Sequence, residues 1–251
     1  MSAADQLLVV IDPVARRVDG ESVRIAKDVL CAGAQVRVCV PDGPEEFVRA
    51  LGKRGSRRLV VVGDDRALVR AVSLLHRERD LAGAPLALVP VGPATALSGA
   101  LGVPPGTVAA ARSALEGAPR VLDLLADDSD GVVLGSLRVP DALAVRRTRW
   151  SLRACLAHTP APETRLRVEA DGELLCDLDG AVRAVLLAPA DGAARVAVQP
   201  AGGGPVRQRA ARTVTVSGPD FRYRADAVVT GPVRKRTWTV LPGAWSLALP
   251  S

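Results

Sequence analysis

Aromatic side chains are almost missing from this chain: three Trp, two Phe and one Tyr in 251 residues. Stacking platforms of the kind that hold single-stranded nucleic acid are therefore not expected, and no nucleic-acid partner is expected either. Histidine is equally scarce. His76 and His158 are the only two, and neither stands at ligand spacing from a cysteine. The four cysteines, Cys31, Cys39, Cys155 and Cys176, contain no C-x-x-C pair. That argues against a zinc site, and no metal-ligating set is assigned; free thiols in a reducing compartment are the default. Long apolar runs are lacking as well. The first, Leu7 to Ile11, is too short for a signal-peptide core or a membrane span, and no basic region precedes it. A soluble, cytoplasmic protein is expected.

What the chain has in quantity is Val, Leu, Ala and Arg. Hydrophobic residues make up 48%, so the core must be aliphatic. The formal charge is +6, and almost all the basic residues are arginine. That bias reflects either GC-rich coding or a basic surface. A basic surface favours anionic partners, including nucleotides and acidic lipid headgroups. The length suits one large or two modest domains.

The most informative stretch runs from Leu59 to Leu68, Leu-Val-Val-Val-Gly-Asp-Asp-Arg-Ala-Leu. Val60 to Val62 read as a strand covered on both faces, and from Ala67 to Leu75 apolar residues recur at helical spacing. A strand–turn–helix junction of this kind presents backbone N–H groups to a phosphate. This turn, however, carries two carboxylates and one glycine.

The first half alternates strand and helix signals. Strands are expected at Leu7–Ile11, Val36–Val40, Leu59–Val62 and Leu86–Val89. Helices are expected at Gly20–Ala32 with a stop at Gly33, at Pro44–Leu51, and at Thr107–Leu115 closed by Gly117. This order implies a parallel α/β sheet. The second half reads as short strands at Gly131–Val139, Leu166–Val168, Leu174–Leu178, Ala181–Leu187, Ala194–Val198, Arg212–Val216 and Thr237–Leu241. Asp171-Gly172, Asp179-Gly180, Asp191-Gly192 and Gly202 to Pro205 separate several of them, and Asp-Gly between apolar runs is a hairpin signal. An antiparallel, two-layered β domain follows. Residues 146–157 are either a helix or a crossing loop.

A series of short motifs, in order, resembles the diacylglycerol kinase catalytic family, which includes bacterial lipid kinases and sphingosine kinases and is related in fold to NAD kinases. The family's N-P-x-S-G corresponds to Asp12-Pro13-Val14-Ala15. Its G-G-D-G-T signature aligns with Val62-Gly63-Asp64-Asp65-Arg66. Its P-x-G-T-x-N-D-x-A, followed by L-G-I-P, aligns with Pro90 to Ser98 and then Leu101-Gly102-Val103-Pro104. A helix ending in glycine and an I-D-L strand match Gly117 and Val121-Leu122-Asp123-Leu124. The D-G-E and closing P-G-A match Ala225-Asp226-Ala227-Val228 and Pro242-Gly243-Ala244-Trp245.

The resemblance implies an α/β plus β architecture: a Rossmann-like, parallel-sheet nucleotide-binding domain over 1–127 and an antiparallel β-sandwich over 128–251, its last strand returning to the first domain. It implies ATP- and Mg²⁺-dependent phosphorylation of a lipid hydroxyl. Asp12, Gly63, Asp64, Asp65, Arg66, Gly92 and Thr95 would take the nucleotide side. Asp226 would take the proton from the lipid.

The polar positions of those motifs are largely replaced. Asp65 stands where the signature has its last glycine. A carboxylate roughly 4–5 Å from a phosphate costs a few kcal/mol at an effective dielectric near 20, so ATP and Mg²⁺ binding is expected to be weak or absent. On this reading Asp65→Gly tightens ATP, and an Asp65 that preserves the turn adopts a left-handed backbone. Mg²⁺ or Arg66 could reverse the repulsion. Asp64 reads equally as a helix cap, Asp123 as a structural hydrogen-bonding group, and Asp226 as a solvated strand residue. His158 has no nucleophile near it in sequence. The runs Lys53-Arg54-Gly55-Ser56-Arg57-Arg58 and Arg146-Arg147-Thr148-Arg149, the second beside Trp150, are either solvated surface or contacts for an anionic membrane. Three functions follow: a lipid-kinase-like protein with weak or absent catalysis, a working lipid kinase with a modified Gly-Asp turn, or a non-catalytic ligand-binding scaffold.

Overall fold

The computed structural model describes residues 6–83, 85–141 and 164–250. The chain forms two compact units, Met1–Leu124 with Gly243–Ser251, and Leu125–Pro242.

The first unit is a parallel sheet with helices. Its strands are β1 (Gln6–Ile11), β2 (Gln35–Cys39), β3 (Arg58–Gly63) and β4 (Leu86–Pro90), in the spatial order β4-β3-β1-β2. The end of the chain adds a further parallel strand beside β4, with Leu247 opposite Leu86. Burial follows position in the sheet. In β1, β3 and β4 nearly every residue is buried, as the unbroken Val and Leu runs require, whereas β2 at the edge is partly exposed.

The helices are α1 (Pro13–Val18), α2 (Gly20–Gly33), α3 (Pro44–Gly52), α4 (Asp65–Arg77), α5 (Ala96–Leu101) and α6 (Thr107–Glu116). Helix α2 buries Val23, Ala26 and Leu30, and α4 buries Ala67, Leu68, Ala71, Val72 and Leu75, the stripes that three-and-four spacing lays on one face. Asp19 starts α2 by accepting the N–H of Ser22 at 3.0 Å. Two short helices, α1 and α5, have no counterpart in the sequence reading. Each spans six residues, too few for a periodic signal.

The second unit is antiparallel β. Strand β5 (Ala118–Asp127) leads into it, followed by β6 (Val132–Val133), β7 (Leu137–Val139), β8 (Thr164–Arg165), β9 (Arg167–Ala170), β10 (Glu173–Cys176), β11 (Ala181–Ala190), β12 (Ala193–Pro200), β13 (Arg207–Ala211), β14 (Thr213–Ala225) and β15 (Val228–Leu249). One run of strands has the order β13-β12-β11-β7-β14. The other layer grows from the first half of β14, whose Val214 to Ser217 pair with β9, and β9 pairs in turn with β10. Strand β14 therefore serves both layers, and its ladder with β15 shifts register between Ser217 and Phe221, where the strand bends. Inward residues of both layers bury a core that includes Val168, Val185, Val214, Val216, Tyr223 and Trp238. The rings of Tyr223 and Trp238 meet edge to face, 5.2 Å between centroids at 88°.

Two strand expectations change. Gly131–Val139 is not one strand: β6 and β7 are separated at Leu134, Gly135 and Ser136, whose N–H groups turn to the Asp226 carboxylate. Asp179-Gly180 does not join paired strands, because β10 pairs with β9 while β11 pairs with β12, β7 and β8. Asp171-Gly172 and Asp191-Gly192 do close hairpins, all four residues at positive φ. Residues 146–157, with Arg146–Arg149, Trp150 and Cys155, lie outside the described residues, as does His158. Among the described residues no helix is long and apolar enough to cross a membrane. Cys31, Cys39 and Cys176 are free thiols.

Candidate functional site

Three of the predicted residues sit where β1 and β3 end. Asp12 follows β1 and Asp64 follows β3, while Asp65 opens α4; all three are nearly inaccessible, at 2%, 6% and 2% exposure. Buried carboxylates need partners, and each has found them at a helix N-terminus.

Asp12 caps α1 by accepting the N–H of Val14 at 2.7 Å, and its other oxygen accepts from Arg70 Nη1 at 2.8 Å. Arg70 in turn lies over the Phe47 ring, 5.6 Å from its centroid. Asp64 caps its own helix, with Oδ1 accepting from the N–H groups of Arg66 at 3.0 Å and Ala67 at 3.3 Å. Asp65 reaches across to a different helix. Its Oδ2 accepts the N–H of Leu97 at 2.8 Å and its Oδ1 that of Ser98 at 2.9 Å, two of the N–H groups in the first turn of α5. The Asp65 N–H also donates to the Ala94 carbonyl at 2.7 Å, which fixes the loop ahead of α5.

The sequence expectation for Asp65 is thereby corrected. It is a helical residue without a positive φ, and its carboxylate points into the protein. Helical backbone at its own position and bare N–H groups 32 residues downstream decide this, and neither shows in the local sequence.

The two glycines serve close packing. A Cβ on Gly63 would lie 2.7 Å from the Ala67 Cβ and 3.0 Å from the Asp12 Cβ. Gly92 has φ +131°, and a Cβ there would lie 3.0 Å from the Asp64 Cβ. The β4–α5 loop thus rests on the β3–α4 turn, and the Val91 N–H donates to the Gly63 carbonyl at 3.0 Å. Thr95 precedes α5 with an exposed side chain that makes no cap bond. Arg66 is exposed, and its guanidinium has no partner among the described residues. The structure therefore brings Asp12, Gly63, Asp64, Asp65, Arg66, Gly92 and Thr95 into one neighbourhood. It adds Arg70 and Ser98, which motif reading did not single out.

Several backbone donors of this neighbourhood are engaged within the protein. Phosphate sites at strand–helix junctions use bare N–H groups at a helix start. Here the N–H groups of Val14, Arg66, Ala67, Leu97 and Ser98 already donate to the protein's own carboxylates. Among the described residues no cluster of His, Cys, Asp or Glu is arranged to hold a metal ion.

Asp226 belongs to the second unit, in the β14–β15 turn, at φ +48°. It is a structural anchor there. Oδ2 accepts the N–H of Leu134 at 2.7 Å; Oδ1 accepts those of Gly135 at 2.9 Å and Ser136 at 2.8 Å. The Asp226 N–H donates to the Ser136 carbonyl at 2.8 Å. The expectation of a solvated strand residue is replaced by a side chain that ties a hairpin turn to the β6–β7 loop. A second polar group in this unit is also engaged. Tyr223 donates to Asp127 Oδ2 at 3.3 Å, and burial together with that carboxylate pushes its phenol up to about 12. Asp123, in the first unit, accepts the Gly243 N–H at 2.8 Å.

No family model matches the sequence, and no curated protein is similar to it at a significant level. The fold is that of bacterial lipid-kinase structures, an α/β unit with a parallel sheet joined to an antiparallel β unit. A crystal structure of a "putative diacylglycerol kinase" from Bacillus anthracis str. Sterne superposes with a TM-score of 0.79 over 98% of this chain and 97% of that one, at 13% identity. Another, described as a diacylglycerol kinase from the same organism, gives a TM-score of 0.74 at 14% identity, with the same coverage of both chains.

Proposed function

We propose that this protein has the lipid-kinase fold without phosphotransferase activity and acts as a non-catalytic binding or regulatory protein. One observation carries the reading: Asp12, Asp64 and Asp65 occupy the helix N-termini where a nucleotide phosphate would otherwise be held. Phosphoryl transfer depends on positioning and on charge stabilisation of the transferring group. A junction whose donors are consumed by carboxylates supplies neither. The anchored state of Asp226 supports the same reading, because both of its oxygens already accept backbone N–H groups.

A working lipid kinase is the second reading, and Arg66 is the observation in its favour. It is an exposed cation at the start of α4 with no partner among the described residues, suited to pairing with a phosphate.

The test is calorimetric titration with ATP, with and without Mg²⁺, alongside transfer of labelled phosphate to diacylglycerol in mixed micelles. No heat at micromolar ATP and no labelled lipid are expected. Labelled lipid formed by the unmodified protein and lost in Arg66→Ala would establish the kinase and overturn the non-catalytic reading.

A further inference from the structure

We infer an anion site, away from the β3–α4 turn, in the hollow between the edge strand β2 and helix α3, shaped for a phosphate-bearing ligand. The hollow is about 290 Å³, and Arg37, Cys39, Glu46, Arg49 and Lys53 are among the residues that line it. Its origin is topological. Strand β2 pairs with β1 on one side alone among the described strands, so its outer edge has no neighbour. Arg37 and Cys39, two apart, project to the same side of the strand. Arg49 and Ala50 follow Glu46 at three and four residues on one stripe of α3, and Lys53, the residue that caps the helix's C-terminus, comes seven after Glu46. Strand side and helix stripe thus enclose one space.

The charge in that space is unbalanced. Glu46 is engaged with Arg49 at 3.6 Å and accepts the Asp42 N–H at 3.0 Å. Arg37 and Lys53 are exposed cations with no ion pair among the described residues. Three cations against one carboxylate in a concave surface focus positive potential on a ligand of ionic size. The rest of the basic run beyond Lys53 does not share in this. Arg54 is 3% exposed and pairs with Asp80 at 2.8 Å, and Arg58 donates to the Ala114 carbonyl at the end of α6 at 2.9 Å. The run is therefore neither wholly solvated nor a continuous basic patch: Lys53 alone of it lines the hollow.

The shared chemistry is a phosphate dianion, free or as a lipid headgroup. Cys39 provides a local reporter, and Cys31, exposed on α2, an internal control. The experiment follows alkylation of each cysteine by peptide mass spectrometry in the whole protein. The additions are pyrophosphate, phosphatidylcholine vesicles, or the same vesicles with one-fifth phosphatidic acid. Protection of Cys39 but not Cys31 is expected with pyrophosphate or with the phosphatidic acid vesicles, and which of the two protects identifies the source.

Arg37→Gln with Lys53→Gln should weaken that protection at least about tenfold. Glu46→Gln keeps the acceptor for Asp42 and removes the charge, so it should strengthen protection. Circular dichroism confirms that each variant is folded. No protection by either phosphate source, or protection that ignores both sets of substitutions, overturns the site.

Discussion

The carboxylate of Asp65 accepts the backbone N–H of Ser98 at 2.9 Å, and by this contact the first residue of one helix caps the start of another. The N–H of Leu97 completes the arrangement on the second oxygen. Asp65 thereby fastens the β4–α5 loop.

Asp65→Gly should therefore destabilise the protein and leave ATP affinity unimproved. Two buried N–H groups lose their acceptor, a cost of about 1–3 kcal/mol. Urea denaturation measures the loss. An ATP titration of the same variant distinguishes this from electrostatic relief, which would tighten binding.

Arg70→Ala should also be costly. It leaves the Asp12 carboxylate, 2% exposed, with the Val14 N–H as its remaining partner among the bonds seen here, and it removes the guanidinium from the Phe47 ring. A loss of about 1–3 kcal/mol is expected, mostly from the stranded charge. Asp12→Asn combined with Arg70→Ala should recover part of it, because the charge is then gone. Thermal or urea unfolding of the single and double variants gives the comparison.

For Asp226, hydrogen bonding and backbone strain separate by substitution. Asp226→Gly keeps the left-handed backbone and loses the three acceptor contacts, at about 1–3 kcal/mol. Asp226→Ala loses the same contacts and must also hold φ near +48°, at roughly a further 1–2 kcal/mol. Equal stabilities for the two variants in urea would show that the turn relaxes.

The pH dependence of the second unit has two edges. Tyr223 is the chain's one tyrosine, so its phenolate absorbance reports a single site. Burial first, and Asp127 next, raise it to about 12. A raised folded value means that its stability is fully present below pH about 10, the unfolded value, and is lost as pH rises through 12. Absorbance titration should show the phenolate appearing near pH 12, or together with unfolding.

On the acid side, burial pushes Asp127 up. The N–H of Gly131, the hydroxyl and N–H of Ser129, and Arg236 outweigh it, so its net shift is down. Its contribution is present above pH about 4 and is lost as pH falls through the lowered folded value. Asp127→Asn should flatten the acid limb of a stability–pH profile.

Much of the fold was written in local pattern. The unalternating Val and Leu runs of β1, β3 and β4 could be satisfied by strands buried on both faces. The stripes of α2 and α4 gave their helices, and Asp171-Gly172 and Asp191-Gly192 gave their hairpins. Motif order, with 13% identity to the solved lipid-kinase structures, still marked the fold, because patterns of burial and turn chemistry survive when side chains change. Short elements escaped, since α5 and α1 lack the length for a period to register.

The sequence by itself determined the parallel-sheet unit, the antiparallel unit and the acidic composition of the β3–α4 turn. It also put Asp12 and the Asp64-Asp65 pair directly after expected strands. Only the tertiary structure decided what those carboxylates do. A carboxylate's role depends on which N–H groups and cations come within about 3 Å, and for Asp65 and Asp226 those donors lie 32 to 92 residues away along the chain. The same residue types, aimed outward, would have repelled a phosphate or taken a proton. Aimed inward, they hold helix starts and a turn in place.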